Sequence, residues 1–205
     1  MTDKTGTLTR NVMKFKRCSI GGTDYGDDET EEFEDSAIES AIEDDYDDVA
    51  EFFTIMATCH TVVPELTDGS LQYQSSSPDE AALVRGASSQ GFVFAARKPK
   101  EIVVRTVSQR QARYRKQSDV LFQRKGEKFF QLLNMLEFSS DRKRMSVIVR
   151  DENGTIKIYC KGAVSSSASL LKLFNLAPLG QCHIRTPLAQ LQRQEGVRHA
   201  QGAPI

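Results

Sequence analysis

Residues 3–9 read Asp-Lys-Thr-Gly-Thr-Leu-Thr, a run of small and polar side chains around a single carboxylate. The glycine and the threonines let the backbone turn tightly, so that amide and hydroxyl groups can point at phosphate oxygens. The carboxylate of Asp3 can attack a γ-phosphoryl group and hold it as an acyl phosphate. Lys4 and a Mg²⁺ ion would offset the charge that develops during the transfer. The run is therefore a candidate for phosphoryl transfer, and a polar turn without chemistry is the alternative.

A carboxylate that accepts phosphate must be held by a rigid element, usually the end of a buried parallel strand. Only Met1 and Thr2 precede Asp3 in this chain. Two residues are too few to form such a strand. We therefore expect the sequence to begin inside a larger protein.

A second candidate is the run Ser77-Pro78-Asp79-Glu80. Ser77 suits the N-cap of a helix, Pro78 its first position and Glu80 the third position of a capping box. Ala81, Ala82, Leu83, Val84 and Ala87 continue the helical pattern, and Gly91 is a natural stop. The spacing predicts a helix, in which Glu80 has a structural role whatever else it does.

The remaining pattern predicts helices followed by an antiparallel sheet, an α+β arrangement. Val49, Phe52, Phe53, Met56 and Cys59 have the spacing of a helix with one buried stripe. Cys59 and His60 are neighbours that do not face each other on a helix, so we interpret them as a packed helix end and not as a catalytic pair. The predicted strands are residues 71–74, 92–95, 102–107, 129–138, 145–149 and 155–160, with turns at Asp68-Gly69 and Asn153-Gly154 and a basic loop at 109–126.

Three further stretches have less pattern. Residues 14–20 alternate loosely and predict a strand or a connector. Residues 24–48 are strongly acidic with few apolar side chains, so we interpret them as a solvated, mobile loop; glycine and glutamate are out of register for an EF-hand calcium site. In residues 164–205 we expect one short helix at 170–176 and otherwise disorder.

Composition limits the functional classes. The chain has 205 residues, of which 39% are hydrophobic and 27% charged, as is usual for a soluble protein. It has no apolar run long enough to span a bilayer and no signal peptide. Its four cysteines are far apart, which favours reduced thiols over disulfides or a zinc site. The net charge of -1 gives no indication of nucleic-acid binding.

Four segments together resemble the type IV P-type ATPases, the phospholipid flippases. They are residues 3–9, residues 77–85 (SPDEAALVR), residues 133–150 (LNMLEFSSDRKRMSVIVR) and residues 159–163 (YCKGA), and they occur in that order. The first segment is similar to the phosphorylation loop of all P-type ATPases. The second and third resemble the flippase branch specifically. The resemblance extends over residues 1–163.

The resemblance implies a nucleotide-binding domain, an antiparallel sheet flanked by helices, inserted after the phosphorylation loop. It implies that Asp3 accepts phosphate from ATP, that Lys4 and Thr5 contact the phosphate, and that Asp3 and Thr5 hold Mg²⁺. It further implies that Glu80 and Lys161 line the adenine pocket and that Phe138 stacks on the base. Without it, a core phenylalanine and a solvated lysine remain the alternatives for Phe138 and Lys161. The basic residues Arg142, Lys143, Arg144 and Arg150 are interpreted as a solvated face of the sheet and not as a binding patch.

We accordingly expect three regions: a phosphorylation-loop remnant and connector at 1–20, the nucleotide-binding domain at 21–163 with its acidic loop at about 24–48, and a divergent tail at 164–205. The family continues the lysine-glycine-alanine motif with Asp, whereas Val164 follows here. The Mg²⁺-binding motifs that complete the phosphorylation site, the actuator domain and the membrane helices have no counterpart in the sequence. We therefore expect a fragment or truncated product that is inactive alone.

The expected function is the ATP-binding and phosphorylation-motif portion of a phospholipid-translocating ATPase. The complete parent would hydrolyse ATP through an aspartyl-phosphate at Asp3. It would be an integral membrane protein with this portion on the cytosolic face, with a membrane phospholipid and a small accessory subunit as partners and no nucleic acid. The chain alone would be soluble and cytoplasmic. The alternative is a stand-alone nucleotide-binding module or a truncated product without catalytic activity.

Overall fold

The computed structural model describes residues 9–27, 33–44, 46–67, 70–107, 126–162, 184–185 and 188–195. Within these residues the chain forms three helices and eleven strands. The helices are α1 (Ser36–Glu43), α2 (Asp47–Thr58) and α3 (Pro78–Ser89). The strands are β1 (Thr9–Ile20), β2 (Thr23–Tyr25), β3 (Val63–Thr67), β4 (Ser70–Gln74), β5 (Phe92–Lys98), β6 (Glu101–Thr106), β7 (Gly126–Ser139), β8 (Arg144–Arg150), β9 (Ile156–Gly162), β10 (Ile184–Arg185) and β11 (Leu188–Glu195).

The largest sheet in this part of the chain has six strands in the order β10-β9-β8-β7-β6-β5. Every neighbouring pair from β5 to β9 is antiparallel, and only the short β10 runs parallel to β9. The helices α2 and α3 pack on each other and on this sheet, and β1 lies along α3. The predicted α+β arrangement, a mostly antiparallel sheet with a few helices, is confirmed.

The core lies between these helices and the sheet. The predicted stripe of α2 is buried, with Val49, Phe52, Phe53 and Met56 all in the core. The ring of Phe53 stacks on that of Phe92 in β5 at a centroid distance of 5.7 Å. Each such side chain contributes roughly 1.5–3 kcal/mol when it is fully buried. The apolar spacing of α2 therefore fixes which of its faces meets the sheet.

The start of α3 confirms the predicted cap but not the complete capping box. Ser77 is the N-cap, and its Oγ accepts a hydrogen bond from the Glu80 amide at 3.4 Å. The Glu80 carboxylate does not return a bond to Ser77, whose amide instead donates to Ser75 Oγ at 3.1 Å. Glu80 instead accepts hydrogen bonds from Thr61 and Lys161. A charge-assisted hydrogen bond from an ammonium is stronger than one from a neutral amide. The Glu80 carboxylate therefore pairs with Lys161 and does not complete the capping box.

The interpretation of residues 24–48 as a solvated loop is wrong for residues 36–43, which form α1. Asp35 caps this helix, with Oδ1 accepting from the Ala37 amide at 2.8 Å and Oδ2 from the Gly26 amide at 2.7 Å. Ile38 has no exposed surface and joins the core. A capping carboxylate also complements the positive end of the helix dipole, so one buried side chain and a cap order this acidic segment.

The expectation of disorder after residue 176 is wrong for two segments. β10 pairs with the edge of the large sheet at β9, and β11 pairs antiparallel with β1 along most of its length. An open sheet edge offers unpaired amides and carbonyls, which a strand of almost any composition can satisfy. A sequence pattern of apolar periodicity gives no sign of such pairing.

The predicted strands 71–74, 92–95, 102–107, 129–138, 145–149 and 155–160 correspond to β4 to β9. The Asn153-Gly154 hairpin is also confirmed, because Gly154 has a positive φ of 80° and Asp151 Oδ1 accepts from the amides of Asn153 and Thr155. The segment 14–20 is part of β1. The predicted turn at Asp68-Gly69, the basic loop up to residue 125 and the short helix at 170–176 lie outside the described residues. None of α1, α2 and α3, the helices that the structure describes, has the length and apolar character needed to cross a bilayer.

Candidate functional site

A cavity of about 760 Å³ opens between the helices and the end of the sheet. Its volume lies in the range of small-molecule pockets, roughly 300–1,000 Å³. The lining comes from α2 and the residue range just after it, the start of α3, and β7, β8 and β9. It consists of Ile55, Met56, Thr61, Ser76, Ser77, Asp79, Glu80, Leu83, Glu137, Phe138, Met145, Lys161 and Gly162. The cavity thus combines an apolar floor with a few polar groups that converge from different elements.

The polar groups are centred on the carboxylate of Glu80. Lys161 Nζ donates to Glu80 Oε1 at 2.6 Å, and both side chains are largely buried, with exposed fractions of 15% for Glu80 and 19% for Lys161. Glu80 Oε2 accepts from the Thr61 hydroxyl at 2.6 Å and from the Thr61 amide at 3.0 Å. Two residues from separate segments, Lys161 and Thr61, therefore hold this carboxylate by its two oxygens.

These bonds decide the charge of Glu80. Burial acts to raise its pKa, but the hydrogen bonds from Lys161 and Thr61 outweigh burial and hold the pKa of this carboxyl below its usual value. Glu80 is therefore ionised at neutral pH. An ionised carboxylate only accepts hydrogen bonds.

Phe138 supplies the flat apolar surface of the site. It is the penultimate residue of β7, and 62% of it is exposed although it lines the cavity. Met145, which is buried, and Leu83 contribute to the apolar part of the lining. An exposed aromatic ring beside a cavity offers a face on which a planar ligand can stack.

Cys59 and His60, the two residues that precede Thr61 in the chain, are buried. His60 is fully buried, and its Nε2 lies 2.9 Å from the Ala57 carbonyl, so this nitrogen carries the proton. His60 Nδ1 accepts from the Val62 amide at 3.1 Å, and Arg97 donates to the His60 carbonyl at 2.6 Å. Burial, and then the nearby Arg97, lower the pKa of His60 to about 3. Burial raises the pKa of Cys59 to about 12, so this thiol is inert. The prediction of a packed helix end for Cys59-His60 is confirmed.

The structure brings three of the predicted site residues together, since Glu80, Phe138 and Lys161 all line this cavity. Asp3, Lys4 and Thr5 lie outside the described residues. Thr61 was missed, because its link to Glu80 spans 19 positions and no local pattern marks it.

The basic residues near β8, which were expected to lie mostly on one exposed sheet face, do not line the cavity, and two of them lie outside the strands. Arg142 and Lys143 belong to the turn before β8, where Lys143 has a positive φ of 49°. The Arg142 guanidinium donates to the Glu137 carbonyl at 3.4 Å, and Arg150 donates to Gln131 at 3.0 Å. Across the residues with described positions, no group of three or more His, Cys, Asp or Glu side chains could hold a metal ion.

Residues 48–167 match the family described as "P-type ATPase, cytoplasmic domain N". The matched range contains every residue that lines the cavity. The chain therefore belongs to the P-type ATPase family, of which it carries the cytoplasmic domain N.

The relatives it resembles are named as lipid transporters. The chain is 50% identical over 167 residues to phospholipid-transporting ATPase tat-1 of Caenorhabditis elegans, a match that covers 80% of this chain and 13% of the relative. It is 43% identical over 180 residues to phospholipid-transporting ATPase DRS2 of Saccharomyces cerevisiae, covering 79% of this chain and 12% of the relative. It is 42% identical over 184 residues to phospholipid-transporting ATPase IC of Xenopus tropicalis, covering 79% and 13%. The chain thus spans about an eighth of the length of these curated relatives.

Proposed function

We propose that this chain binds ATP in the cavity between α3 and β7–β9, as the nucleotide-binding portion of a phospholipid-translocating P-type ATPase. The observation that carries the proposal is the convergence of an exposed Phe138 and the Glu80–Lys161 ion pair on one cavity. The family and the names of its relatives support the same assignment.

Each group has a distinct role in holding the base. The purine stacks on the ring of Phe138, and such stacking is typically worth about 1–3 kcal/mol per base. The Glu80 carboxylate accepts a hydrogen bond from the base, and the Lys161 ammonium donates one. The apolar lining at Met145 and Leu83 receives the rest of the ring.

Phosphoryl transfer in the complete protein is assigned to residues 3–5. Asp3 Oδ attacks the γ-phosphorus, the bond to the β,γ-bridging oxygen breaks, and ADP leaves; water later hydrolyses the aspartyl-phosphate. Lys4 and Thr5 would contact the phosphate, and Asp3 and Thr5 would hold Mg²⁺, whose charge would offset the negative charge that develops during the transfer. This assignment rests on the sequence motif. A membrane phospholipid and a small accessory subunit are the partners proposed for the whole protein, with this domain on the cytosolic face.

Calorimetric titration of the full chain with MgATP tests the binding proposal. We expect Phe138→Ala to weaken the affinity for ATP roughly 5- to 150-fold, the equivalent of the stacking energy above. Lys161→Ala should also weaken it, because the variant removes the donor of the site. Both residues lie near strand ends, so both variants should remain folded.

Phe129→Ala is the matched control, since Phe129 lies on the same strand with 40% of its surface exposed and does not line the cavity. Its affinity should equal that of the wild-type chain. Unchanged binding by both Phe138→Ala and Lys161→Ala would remove these residues from the site and contradict the proposal.

A further inference from the structure

Thr61 contacts Glu80 in a way that sets the hydrogen-bonding character of the cavity. It lies between α2 and β3, lines the cavity, and is itself exposed. Both of its donors, the hydroxyl and the backbone amide, point at the same oxygen, Glu80 Oε2. The other oxygen, Oε1, is held by Lys161. The Glu80 carboxylate is thus fixed from two sides in one orientation.

Glu80, Thr61 and Lys161 form one corner of the cavity. The chemistry of each group decides whether it can donate or accept a hydrogen bond there. A threonine hydroxyl has one proton to donate, and here it is given to Glu80, so the Thr61 oxygen can offer the cavity only its lone pairs. Glu80 is ionised and accepts only. Lys161 has three donors, of which one is directed to Glu80. The corner therefore presents acceptors, from Glu80 and Thr61, beside a donor, from Lys161.

This pattern distinguishes one kind of purine edge from another. A 6-aminopurine places a donor, the exocyclic amine, next to an acceptor, N1. A 6-oxopurine places an acceptor, O6, next to a donor, N1–H. In the orientation in which the adenine amine meets Glu80 and N1 meets Lys161, it would set O6 against the Glu80 carboxylate and N1–H against the Lys161 ammonium. Leaving buried polar groups unpaired is costly, which makes such mismatches effective in rejecting an analogue.

We propose that Thr61 is a positioning residue that holds the Glu80 carboxylate in one orientation and thereby strengthens the preference of the cavity for adenine over 6-oxopurine nucleotides. This inference rests on the proposed function, the binding of ATP in this cavity. Thr61 acts through Glu80, and its exposed position means that substitution should leave the folding of the chain nearly unchanged.

The test compares MgATP with MgITP, whose base has oxygen in place of the amino group, in calorimetric titrations of the full chain. We expect the wild-type chain to bind ATP at least about tenfold more tightly than ITP. Thr61→Val keeps the shape and the amide but loses the hydroxyl. It should lower the affinity for ATP about 3- to 10-fold and that for ITP by less, so that the ratio of the two falls.

Two variants control for a structural role. Thr61→Ser restores the hydroxyl and should return both affinities to within about twofold of the wild-type values. Thr67→Val makes the same chemical change at an exposed residue of β3 and should leave both affinities unchanged. A merely structural role would not alter the ratio of the ATP and ITP affinities.

The outcomes separate this inference from the function it rests on. If the wild-type chain binds ATP and Thr61→Val keeps the wild-type ratio, or loses affinity for ATP and ITP equally, the role of Thr61 is contradicted while ATP binding stands. The same holds if Thr61→Ser behaves like Thr61→Val. If the wild-type chain binds neither nucleotide, the proposed function itself is contradicted, and the role of Thr61 with it.

Discussion

Glu80 is at once the third residue of a helix and the centre of an ion-pair network. Its backbone amide completes the N-cap of α3 by donating to Ser77 Oγ, while its carboxylate leaves the helix to meet Lys161 and Thr61. The N-terminus of a helix favours a negative charge, so the same position that suits the helix also suits an ionised acceptor. One residue therefore serves folding and binding without conflict.

His60 gives a residue-scale prediction about pH. It is buried and neutral in the folded chain, with a pKa of about 3, against an ordinary value of 6.5 when unfolded. Between these values the unfolded state binds a proton that the folded state does not, so the free energy of unfolding must fall as the pH is lowered. From pH 7.5 to pH 5 the loss at this one site is about 2 kcal/mol.

Urea unfolding of the wild-type chain and of His60→Gln at pH 7.5 and pH 5 measures this loss. Both pH values lie above the ordinary pKa of a glutamate, 4.5, so Glu80 adds little to the difference in the free energy of unfolding between them. We expect His60→Gln to be less stable than the wild-type chain at pH 7.5 but to lose less stability on acidification. An equal loss in both proteins would show that the pH dependence arises elsewhere.

At this scale the sequence predicted part of the site. The types of Glu80, Phe138 and Lys161, read through the resemblance, indicated a base-binding pocket, and the structure brings these three side chains to one cavity. The predicted hydrogen bond from the Ser77 amide to the Glu80 carboxylate was wrong. Capping rules consider only the local chain and not the Lys161 ammonium, which lies 81 positions away in the sequence. Thr61 was missed for the same reason.

At the scale of elements, the end of β9 is held very close to β8. Gly162 pairs with Arg144, and a Cβ built at Gly162 would lie 2.5 Å from the Lys143 carbonyl oxygen and 2.5 Å from Arg144 Cβ. Real Cβ atoms do not approach backbone so closely, so a larger residue must push the strands apart. Lys161, which directly precedes Gly162 on β9, would move with the displaced strand.

We therefore predict that Gly162→Ala destabilises the chain by about 1–3 kcal/mol, the usual cost of overpacking, and also weakens its affinity for ATP. Gly126→Ala is the matched control on the same sheet, because among the described residues a Cβ there meets only Thr106 Oγ1, at an ordinary contact distance of 3.5 Å. Urea unfolding and MgATP titration of both variants give the comparison. If Gly162→Ala were as stable as Gly126→Ala and bound ATP as the wild-type chain does, the close approach would have no consequence for the site.

The elements themselves were predicted where local signals are strong. The apolar stripe of α2, the Ser-Pro start of α3 and the Asn153-Gly154 turn all led to the observed elements. Prediction failed for α1, which depends on the burial of Ile38 by residues distant in sequence, and for β11, which depends on pairing with β1. Both are tertiary effects that apolar periodicity cannot indicate.

At the scale of the molecule, the cavity is a product of the whole fold. Its lining runs from Ile55 to Gly162 and is assembled by two helices and three strands of the central sheet. No single motif contains it, and sequence could indicate it only through a resemblance to a family. The α+β class was predictable without that resemblance, because the helices and the hairpin strands each carry their own local signals.

The family membership gives the domain its context. The matched residues 48–167 are the cytoplasmic domain N of a P-type ATPase, and the part of the chain that matches its relatives covers about an eighth of their length. Recognition of ATP is the part of the proposed cycle that these residues can be tested for directly. Transport of a phospholipid is proposed for the complete protein alone.

The most direct test of ATP binding in this cavity is a map of backbone amide chemical shifts in the isotope-labelled full chain during titration with MgATP. We predict the largest changes at Thr61, Glu80, Phe138 and Lys161, which line the cavity, and none at the Asn153-Gly154 turn. Saturable changes confined to another surface, or no changes at the four cavity residues at millimolar MgATP, would contradict the account.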